Sequence, residues 1–211
     1  MIRGPLLAVA VTCAAAAVGL GLLIVESPPT ALDESVARAI QSVDFGPLTV
    51  LFPVFRWAGG PPGGPFVAAA AVAIALLLNR RAWRLALAIM AGSVWYPILI
   101  FTIHRPRPTG DQVLRITEQP GGTSFPSGHV LFLALDLAVL LLCAGYRYLP
   151  RWGRVVGWCA LAAIVLLAGI SRVYVGAHWP TDVLAAILIA TAWLALVLST
   201  RVSEKERILD R

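Results

Sequence analysis

Long apolar stretches recur along the whole chain and alternate with short polar or glycine- and proline-rich segments. A membrane-spanning helix needs about 20 apolar residues, and six stretches of roughly that length are present. They cover residues 5–25, 64–79, 82–103, 129–146, 153–171 and 180–200. The second stretch is short and can borrow from the segment before it. The pattern predicts an all-α integral membrane bundle of six transmembrane helices.

A different periodicity follows the first stretch. Thr30 or Asp33 can cap a helix, and Val36, Ile40 and Val43 then share one helical face, opposite Asp33. This spacing predicts an amphipathic helix lying in the membrane interface, in addition to the six spans.

The segment leading to the second stretch contains many helix breakers. Residues 46–58 are apolar but include Pro53, so we expect them to stay at the interface. Residues 59–65 read Gly-Gly-Pro-Pro-Gly-Gly-Pro, which predicts a loop. The loop is interpreted either as an ordinary turn into the second span or as one rim of a substrate entrance.

The length leaves no room for a separate soluble domain. We therefore interpret residues 1–211 as one membrane domain, with its motif-bearing part at about 82–200. The first apolar stretch is longer than a signal-peptide core and is not followed by a small-x-small cleavage site. It predicts an uncleaved helix.

The net charge of +6 comes from basic residues that lie beside the apolar stretches. This distribution does not indicate a nucleic-acid partner. If six helices alternate, the basic segments all fall on one side: Arg3, 80–84, 147–154 and 201–211. The positive-inside rule makes that side cytoplasmic. We expect a plasma-membrane protein with both termini in the cytoplasm and with residues 26–63, 104–128 and 172–179 outside.

Three polar clusters contain all three histidines, and each lies at the outer end of an apolar stretch. They occupy residues 104–108, 126–129 and 171–182. Arginines, histidines and a helix start preceded by Ser-Gly are the groups needed to bind a phosphate and attack it. The topology predicts that the three clusters meet at one membrane face.

His178 and Asp182 are four residues apart and can share a helix face. The carboxylate could then accept a hydrogen bond from one imidazole nitrogen and leave the other as a nucleophile. The same pair could ligate a metal, although the nearby arginines favour phosphate over a cation. A purely structural pair is a third interpretation.

The second cluster reads as the start of the fourth span. Ser127 can cap this helix, and Gly128 lets a phosphate approach the backbone amides. His129 is placed to protonate a leaving oxygen. A plain capped helix start is the alternative. Asp136 lies two turns deeper on the same face, where it either supports the site or is a packed, protonated side chain.

Arginines of the first and third clusters are candidate phosphate ligands. Arg107 and Arg172 are the first choices, because the guanidinium fork matches phosphate oxygens. Arg105 and His104 are second candidates. Arg105 could instead contact lipid headgroups.

Together, these residues resemble the phosphatidic acid phosphatase type 2 superfamily. That family's pattern is Lys-x6-Arg-Pro, then Pro-Ser-Gly-His, then Ser-Arg-x5-His-x3-Asp. Residues 107–108 match the end of the first motif, and residues 126–129 match the second completely. The third motif is matched completely by Ser171, Arg172, His178 and Asp182.

The resemblance has one departure, because Ile100 stands where the first motif has its lysine. In the family that lysine helps to bind phosphate. Its absence could weaken activity, be compensated by His104 or Arg105, or mark a protein that binds or transports lipids without catalysis.

The resemblance implies a metal-independent, cofactor-free lipid phosphatase in which His178, oriented by Asp182, forms a phosphohistidine. His129 would protonate the leaving group, while Arg107, Arg172, Ser127 and Gly128 would hold the phosphoryl oxygens. The expected partners are membrane lipids and a lipid phosphate such as undecaprenyl diphosphate, phosphatidylglycerol phosphate or phosphatidate. A lipid phosphotransferase is the alternative enzyme.

Overall fold

The computed structural model describes residues 4–25 and 29–200, which form helices and connecting loops without a strand. The helices are α1 (Gly4–Val25), α2 (Ala31–Ser42), α3 (Leu51–Gly59), α4 (Gly63–Leu78), α5 (Arg80–Thr102), α6 (Gly128–Tyr148), α7 (Arg151–Tyr174) and α8 (Pro180–Ser199). The predicted all-α class is confirmed. Arg3 and residues 201–211, which enter the charge argument, lie outside the described residues.

Five helices are long and apolar enough to cross a membrane: α1, α5, α6, α7 and α8. A sixth span exists if the pair Gly46–Gly59 and Gly63–Leu78 is counted as one, although the pair is bent by 80°. The six predicted stretches correspond closely to α1 and α4 to α8. Their positions are predictable because each requires a long uninterrupted apolar run.

α6 lies at the centre of the bundle. In its apolar window 72% of the residues are buried, against 22% for α1, α5 and α7, which turn much of their apolar surface outward. The core around α6 includes Val130, Leu131, Leu135 and Val139. This places His129, in the first turn of α6, on the most enclosed helix.

α2 forms where the sequence predicts it, and the face that packs into the protein carries polar side chains. Thr30 accepts a hydrogen bond from the Asp33 amide, as expected for a cap. The buried positions are Asp33, Ala37 and Gln41, whereas Val43 is 47% exposed. Polar side chains can face inward here because Asp33 and Gln41 hydrogen-bond to residues far along the chain.

The apolar segment before the glycine- and proline-rich loop is helical despite Pro53. A 3₁₀ turn at Gly46–Val50 leads into α3, and Pro53 lies in the first turn of α3. Proline is tolerated there because that turn lacks intrahelical acceptors for its amides. The loop then forms the 80° bend into α4.

The three polar clusters meet at one end of the bundle. The Ser127 amide donates to the carbonyl of Asp182, and the Ser124 amide donates to the carbonyl of Arg105. The start of α6, the end of α5 and the start of α8 are thereby joined by main-chain hydrogen bonds.

Candidate active site

Two histidines lie at the centre of the clustered motifs. His178 precedes α8 and is 3% exposed, and His129 is in the first turn of α6. Their ring centroids are 6.2 Å apart, with the rings inclined at 69°. Both imidazoles therefore border one small space. His104, by contrast, is exposed.

The orientation of His178 is fixed by a main-chain carbonyl. His178 Nδ1 lies 2.7 Å from the carbonyl oxygen of Ser124, and Asp182 Oδ2 is 3.7 Å from the same nitrogen. Because a carbonyl only accepts hydrogen bonds, Nδ1 must carry the proton. Nε2 then has the free lone pair. The expected tautomer is present, but its closest acceptor is Ser124 and not Asp182.

Asp182 is held at the start of α8 by two donors. Its Oδ2 accepts from the Trp179 amide at 2.8 Å, and its Oδ1 accepts from Arg105 Nη1 at 2.5 Å. α8 begins at Pro180, so His178 precedes the helix, and the two residues do not share a helix face as expected. The carboxylate is completely buried and contributes negative charge close to His178.

Arg105 lies between two carboxylates and not at a phosphate-facing surface. Its Nη2 donates to Asp33 Oδ2 at 2.5 Å, while Nη1 donates to Asp182 and to Thr181 Oγ1. The side chain is 1% exposed. Its guanidinium is thus already occupied by anions, which argues against a role in binding phosphate or lipid headgroups.

Arg107, two residues later, lies in a different environment. Its guanidinium donates to the carbonyls of Ala177 at 2.6 Å and Thr123 at 2.8 Å. Nε is buried without a partner among the described residues. Burial lowers the pKa of Arg107 from its ordinary value. Arg107 is thus held by neutral carbonyls, and no carboxylate in the described part of the chain is directly bonded to its positive charge.

Arg172 is completely buried near the end of α7. Its Nη1 donates to Glu118 Oε2 at 2.9 Å, and Nη2 donates to the carbonyl of Phe52 at 3.1 Å. Arg56 Nε approaches the same glutamate oxygen at 3.6 Å. Glu118 and Arg56 were missed in the sequence, because neither lies in a motif and Arg56 interrupts an apolar segment.

Ser127 occupies the N-cap position of α6, but its hydroxyl makes no capping hydrogen bond. Ser127 Oγ is buried and has no partner among the described residues. The expectation of a side-chain cap is therefore wrong. Gly128 has a packing role, since a Cβ there would lie 2.7 Å from the Tyr96 ring. An unpaired buried hydroxyl at a helix start is suited to a ligand oxygen.

The glycines at the end of α3 pack directly on His129. A Cβ on Gly59 would lie 2.7 Å from His129 Cα, and one on Gly60 would lie 2.6 Å from His129 Nε2. The loop therefore borders the site, as the rim interpretation expects. Beneath it is a cavity of about 400 Å³ that reaches Asp136, whose carboxyl oxygens have no partner in the described part of the chain.

Comparison with known sequences identifies the family to which the chain belongs. The sequence profile of the PAP2 superfamily matches residues 81–206. Because the match covers more than half of the chain, the protein belongs to the PAP2 superfamily. The resemblance drawn from the three motifs is confirmed.

Two curated relatives share part of the sequence. An undecaprenyl-diphosphatase from Sulfolobus acidocaldarius is 37% identical over 79 residues, covering 37% of this chain and 34% of that protein. The undecaprenyl-diphosphatase BcrC of Bacillus subtilis is 33% identical over 103 residues, covering 48% of each. The chain thus matches between a third and a half of these relatives' lengths.

Two crystal structures share the fold. A transmembrane PAP2-type phosphatidylglycerolphosphate phosphatase from Bacillus subtilis superposes with a TM-score of 0.71 at 22% identity, covering 89% of this chain and 93% of that one. Aquifex aeolicus LpxE gives 0.63 at 23% identity, covering 81% and 97%. The multi-pass membrane fold is therefore shared with these proteins along most of the chain.

Proposed function

We propose that this protein is an integral membrane phosphatase that hydrolyses a lipid phosphate or prenyl diphosphate through a phosphohistidine. The main support for this proposal is the hydrogen bond that fixes the His178 ring. Its Nδ1 is bound to a carbonyl, so Nε2 is a free nucleophile beside His129. His129 lies within electrostatic range of Arg107 and Arg172 and two residues after Ser127, whose buried hydroxyl has no partner among the described residues.

In the first step, His178 Nε2 attacks phosphorus in line with the leaving oxygen. The N–P bond forms as the P–O bond breaks, and His129 donates a proton to the departing oxygen. Arg107, Arg172 and Ser127 stabilise the charge that develops on the phosphoryl oxygens. The nearby Asp182 carboxylate favours the positive charge that develops on the His178 ring.

In the second step, water replaces the leaving group. His129 accepts a proton from water as the water oxygen attacks phosphorus, and the N–P bond breaks to release inorganic phosphate. His178 returns to its starting tautomer because Ser124 again accepts from Nδ1.

The substrate class is proposed from the family and from the relatives' names. Two relatives are named undecaprenyl-diphosphatases, and one protein of the same fold is named a phosphatidylglycerolphosphate phosphatase. A prenyl diphosphate is therefore the first substrate to test, followed by phosphatidylglycerol phosphate and phosphatidate. Membrane lipids are the expected surroundings.

Phosphate release in detergent tests the reaction. His178→Ala should lower turnover on every active lipid phosphate by about 10⁴-fold or more, as expected for a lost nucleophile. His104→Ala is the matched control, because that histidine is exposed, and it should retain full activity. Activity of His178→Ala within tenfold of wild type would exclude the assignment. A phosphorylated lipid acceptor without free phosphate would indicate a phosphotransferase.

We further propose that the active site faces away from the cytoplasm of a plasma membrane and that both termini are cytoplasmic. In a variant whose native cysteines are replaced, Thr117→Cys should react with a membrane-impermeant thiol reagent in intact cells without an outer membrane. Arg151→Cys should not react, although both positions are exposed. The opposite labelling pattern would reverse the orientation.

A further inference from the structure

Two arginines from different helices share one carboxylate beside the candidate active site. Arg172 Nη1 donates to Glu118 Oε2 at 2.9 Å, and Arg56 Nε lies 3.6 Å from the same oxygen. The Arg172 side chain is fully buried, whereas that of Arg56 is 66% exposed. One carboxylate neutralises only one of the two guanidiniums. The arrangement is therefore suited to an anion with more than one negative charge.

α3 brings Arg56 close to His129. Gly59 and Gly60 follow Arg56 by one helical turn, and both pack against His129. Arg172 lies within electrostatic range of the same histidine. The arginine pair is thus adjacent to the residue that is proposed to protonate the leaving oxygen.

We propose that Arg56 binds the phosphate that stays on the lipid when a prenyl diphosphate is cleaved, beside Arg172, which holds the phosphoryl group under attack. The inference rests on the proposed function and adds to it a preference for diphosphates. Glu118 Oε2 occupies the anion position in the free protein, and the substrate displaces it. Arg56 then supplies a cation that the chain lacks at Ile100, from a helix outside the three motifs.

Arg56 would discriminate between diphosphate and monophosphate substrates because their leaving groups differ in charge. When His178 attacks the terminal phosphorus of a diphosphate, the leaving group is a lipid monophosphate, and negative charge develops beside Arg56. When the substrate is a monophosphate, the leaving group is an alcohol that His129 has protonated. Arg56 therefore has a charge to stabilise only in the diphosphate reaction.

Arg56 can be replaced without risk to the fold. An ion pair whose arginine is mostly exposed contributes little to stability, because water screens the charges. Arg38 provides a matched control. It is also exposed and is contributed by α2, and its guanidinium donates to the carbonyls of Asp111 and Gln112.

The test measures phosphate release by the full chain from farnesyl diphosphate and from farnesyl monophosphate. Arg56→Gln should lower kcat/KM for the diphosphate by about tenfold, the effect of one charge-assisted contact. The monophosphate value should change by less than about twofold, as should both values in Arg38→Gln. Arg56→Gln should unfold at the wild-type temperature.

The outcomes separate the inference from the proposed function. Equal losses on both substrates in Arg56→Gln, or a wild-type protein that accepts only the monophosphate, would overturn the inference alone. No phosphate release from either substrate by the wild type would overturn the proposed function. A selective loss on the diphosphate supports both.

Glu118→Gln tests the displacement directly. Without the competing carboxylate, the KM for farnesyl diphosphate should fall several-fold while kcat changes little. If Glu118 served only to hold Arg172 in place, its replacement would lower kcat on both substrates without lowering KM. That result would contradict displacement by the substrate.

Discussion

The two halves of the site contain similar residue types but differ in how their polar groups are paired. The Asp182 half comprises Asp33, Arg105, Trp179, Thr181 and Asp182, and its charged groups are joined to one another by direct hydrogen bonds. The Ser127 half comprises Arg107, Ser127, His129 and Arg172. Each half keeps one buried guanidinium Nε without a partner in the described residues, on Arg105 and on Arg107, but the Ser127 half also keeps the buried Ser127 hydroxyl unpaired, whereas the Thr181 hydroxyl of the other half is hydrogen-bonded.

This difference indicates that the two halves do different work. A buried polar group without a partner destabilises the fold, so proteins retain such groups mainly where a ligand will pair with them. We interpret the Asp182 half as a frame in which the paired charges hold the Asp182 carboxylate beside His178. The Ser127 half is suited to the phosphoryl oxygens, which would supply the missing partners.

The largest expected effect comes from breaking the frame. Asp33→Asn and Asp182→Asn each leave buried Arg105 with one carboxylate, and removing one partner of a buried ion pair costs about 3–5 kcal/mol. Thermal unfolding in detergent should show a clear loss of stability for both. Asp182→Asn should also lower turnover more strongly, since Asp182 is the carboxylate near His178.

The control for this pair is Asp111→Asn, because Asp111 is exposed on the same side of the bundle. It should unfold at the wild-type temperature. If Asp33→Asn were as stable as Asp111→Asn, the paired carboxylates would not form a frame, and the contrast between the halves would disappear.

The next effect comes from removing the unpaired hydroxyl. Ser127→Ala should reduce kcat by about 10²-fold if Oγ donates to a phosphoryl oxygen in the transition state. Stability should be unchanged or slightly raised, because the hydroxyl has no hydrogen-bond partner among the described residues of the free protein. The kcat of Ser127→Ala should therefore fall without a fall in its unfolding temperature, whereas Asp182→Asn should lower both.

Ser35→Ala serves as the control, since Ser35 is exposed and donates a local hydrogen bond to the Leu32 carbonyl in α2. It should leave kcat unchanged. A Ser127→Ala protein with wild-type kcat would show that the unpaired hydroxyl has no part in the reaction.

A smaller effect is expected where His129 contacts the loop. Gly60→Ala would place a Cβ 2.6 Å from His129 Nε2, so the ring must move by about an ångström to restore van der Waals contact. We expect a loss of turnover of about tenfold, because proton transfer depends on geometry. Gly110→Ala is the control, since a Cβ at that position would meet no described atom within 4 Å. If Gly60→Ala were as active as Gly110→Ala, the position of the His129 ring would have no effect on turnover.

The smallest effect concerns the missing lysine. Ile100→Lys in the last turns of α5 should be tolerated, because a long side chain can reach the polar end of the bundle. Turnover of a phosphate monoester should rise by a few-fold at most, since a single exposed charge adds roughly 1 kcal/mol. Arg105→Ala should not be rescued by this change, because Arg105 binds carboxylates. If Ile100→Lys did rescue Arg105→Ala, that result would indicate that Arg105 contributes to phosphate binding.

The span positions and the meeting of the motifs were predictable, whereas the pairing of polar groups was not. A run of about 20 apolar residues fixes a helix whatever surrounds it, so the sequence locates the spans closely. Asp33 looks like a residue of the outer face of α2, and only Arg105, far along the chain, makes its burial favourable. A helical pattern carries no information about such a distant partner.

Two further features escape sequence reasoning because they depend on main-chain atoms. The acceptor for His178 is a carbonyl that any residue at position 124 would provide. The contacts of Gly59 and Gly60 with His129 depend on the bend between α3 and α4. The motifs predict which histidine, serine and arginine residues belong to the site. They do not predict the partner with which each of these side chains forms a hydrogen bond.

The pairing of Asp33, Arg105 and Asp182 also has a consequence for synthesis. The two buried ion pairs can both form only after α8 has been made. Asp33 is made early, Arg105 in the middle and Asp182 with the last described helix. A nascent chain therefore carries a charge that gains its second carboxylate only after α8 has joined the bundle. Catalytic competence should appear abruptly when membrane insertion is complete, and a ribosome-bound chain that ends before α8 should remain inactive.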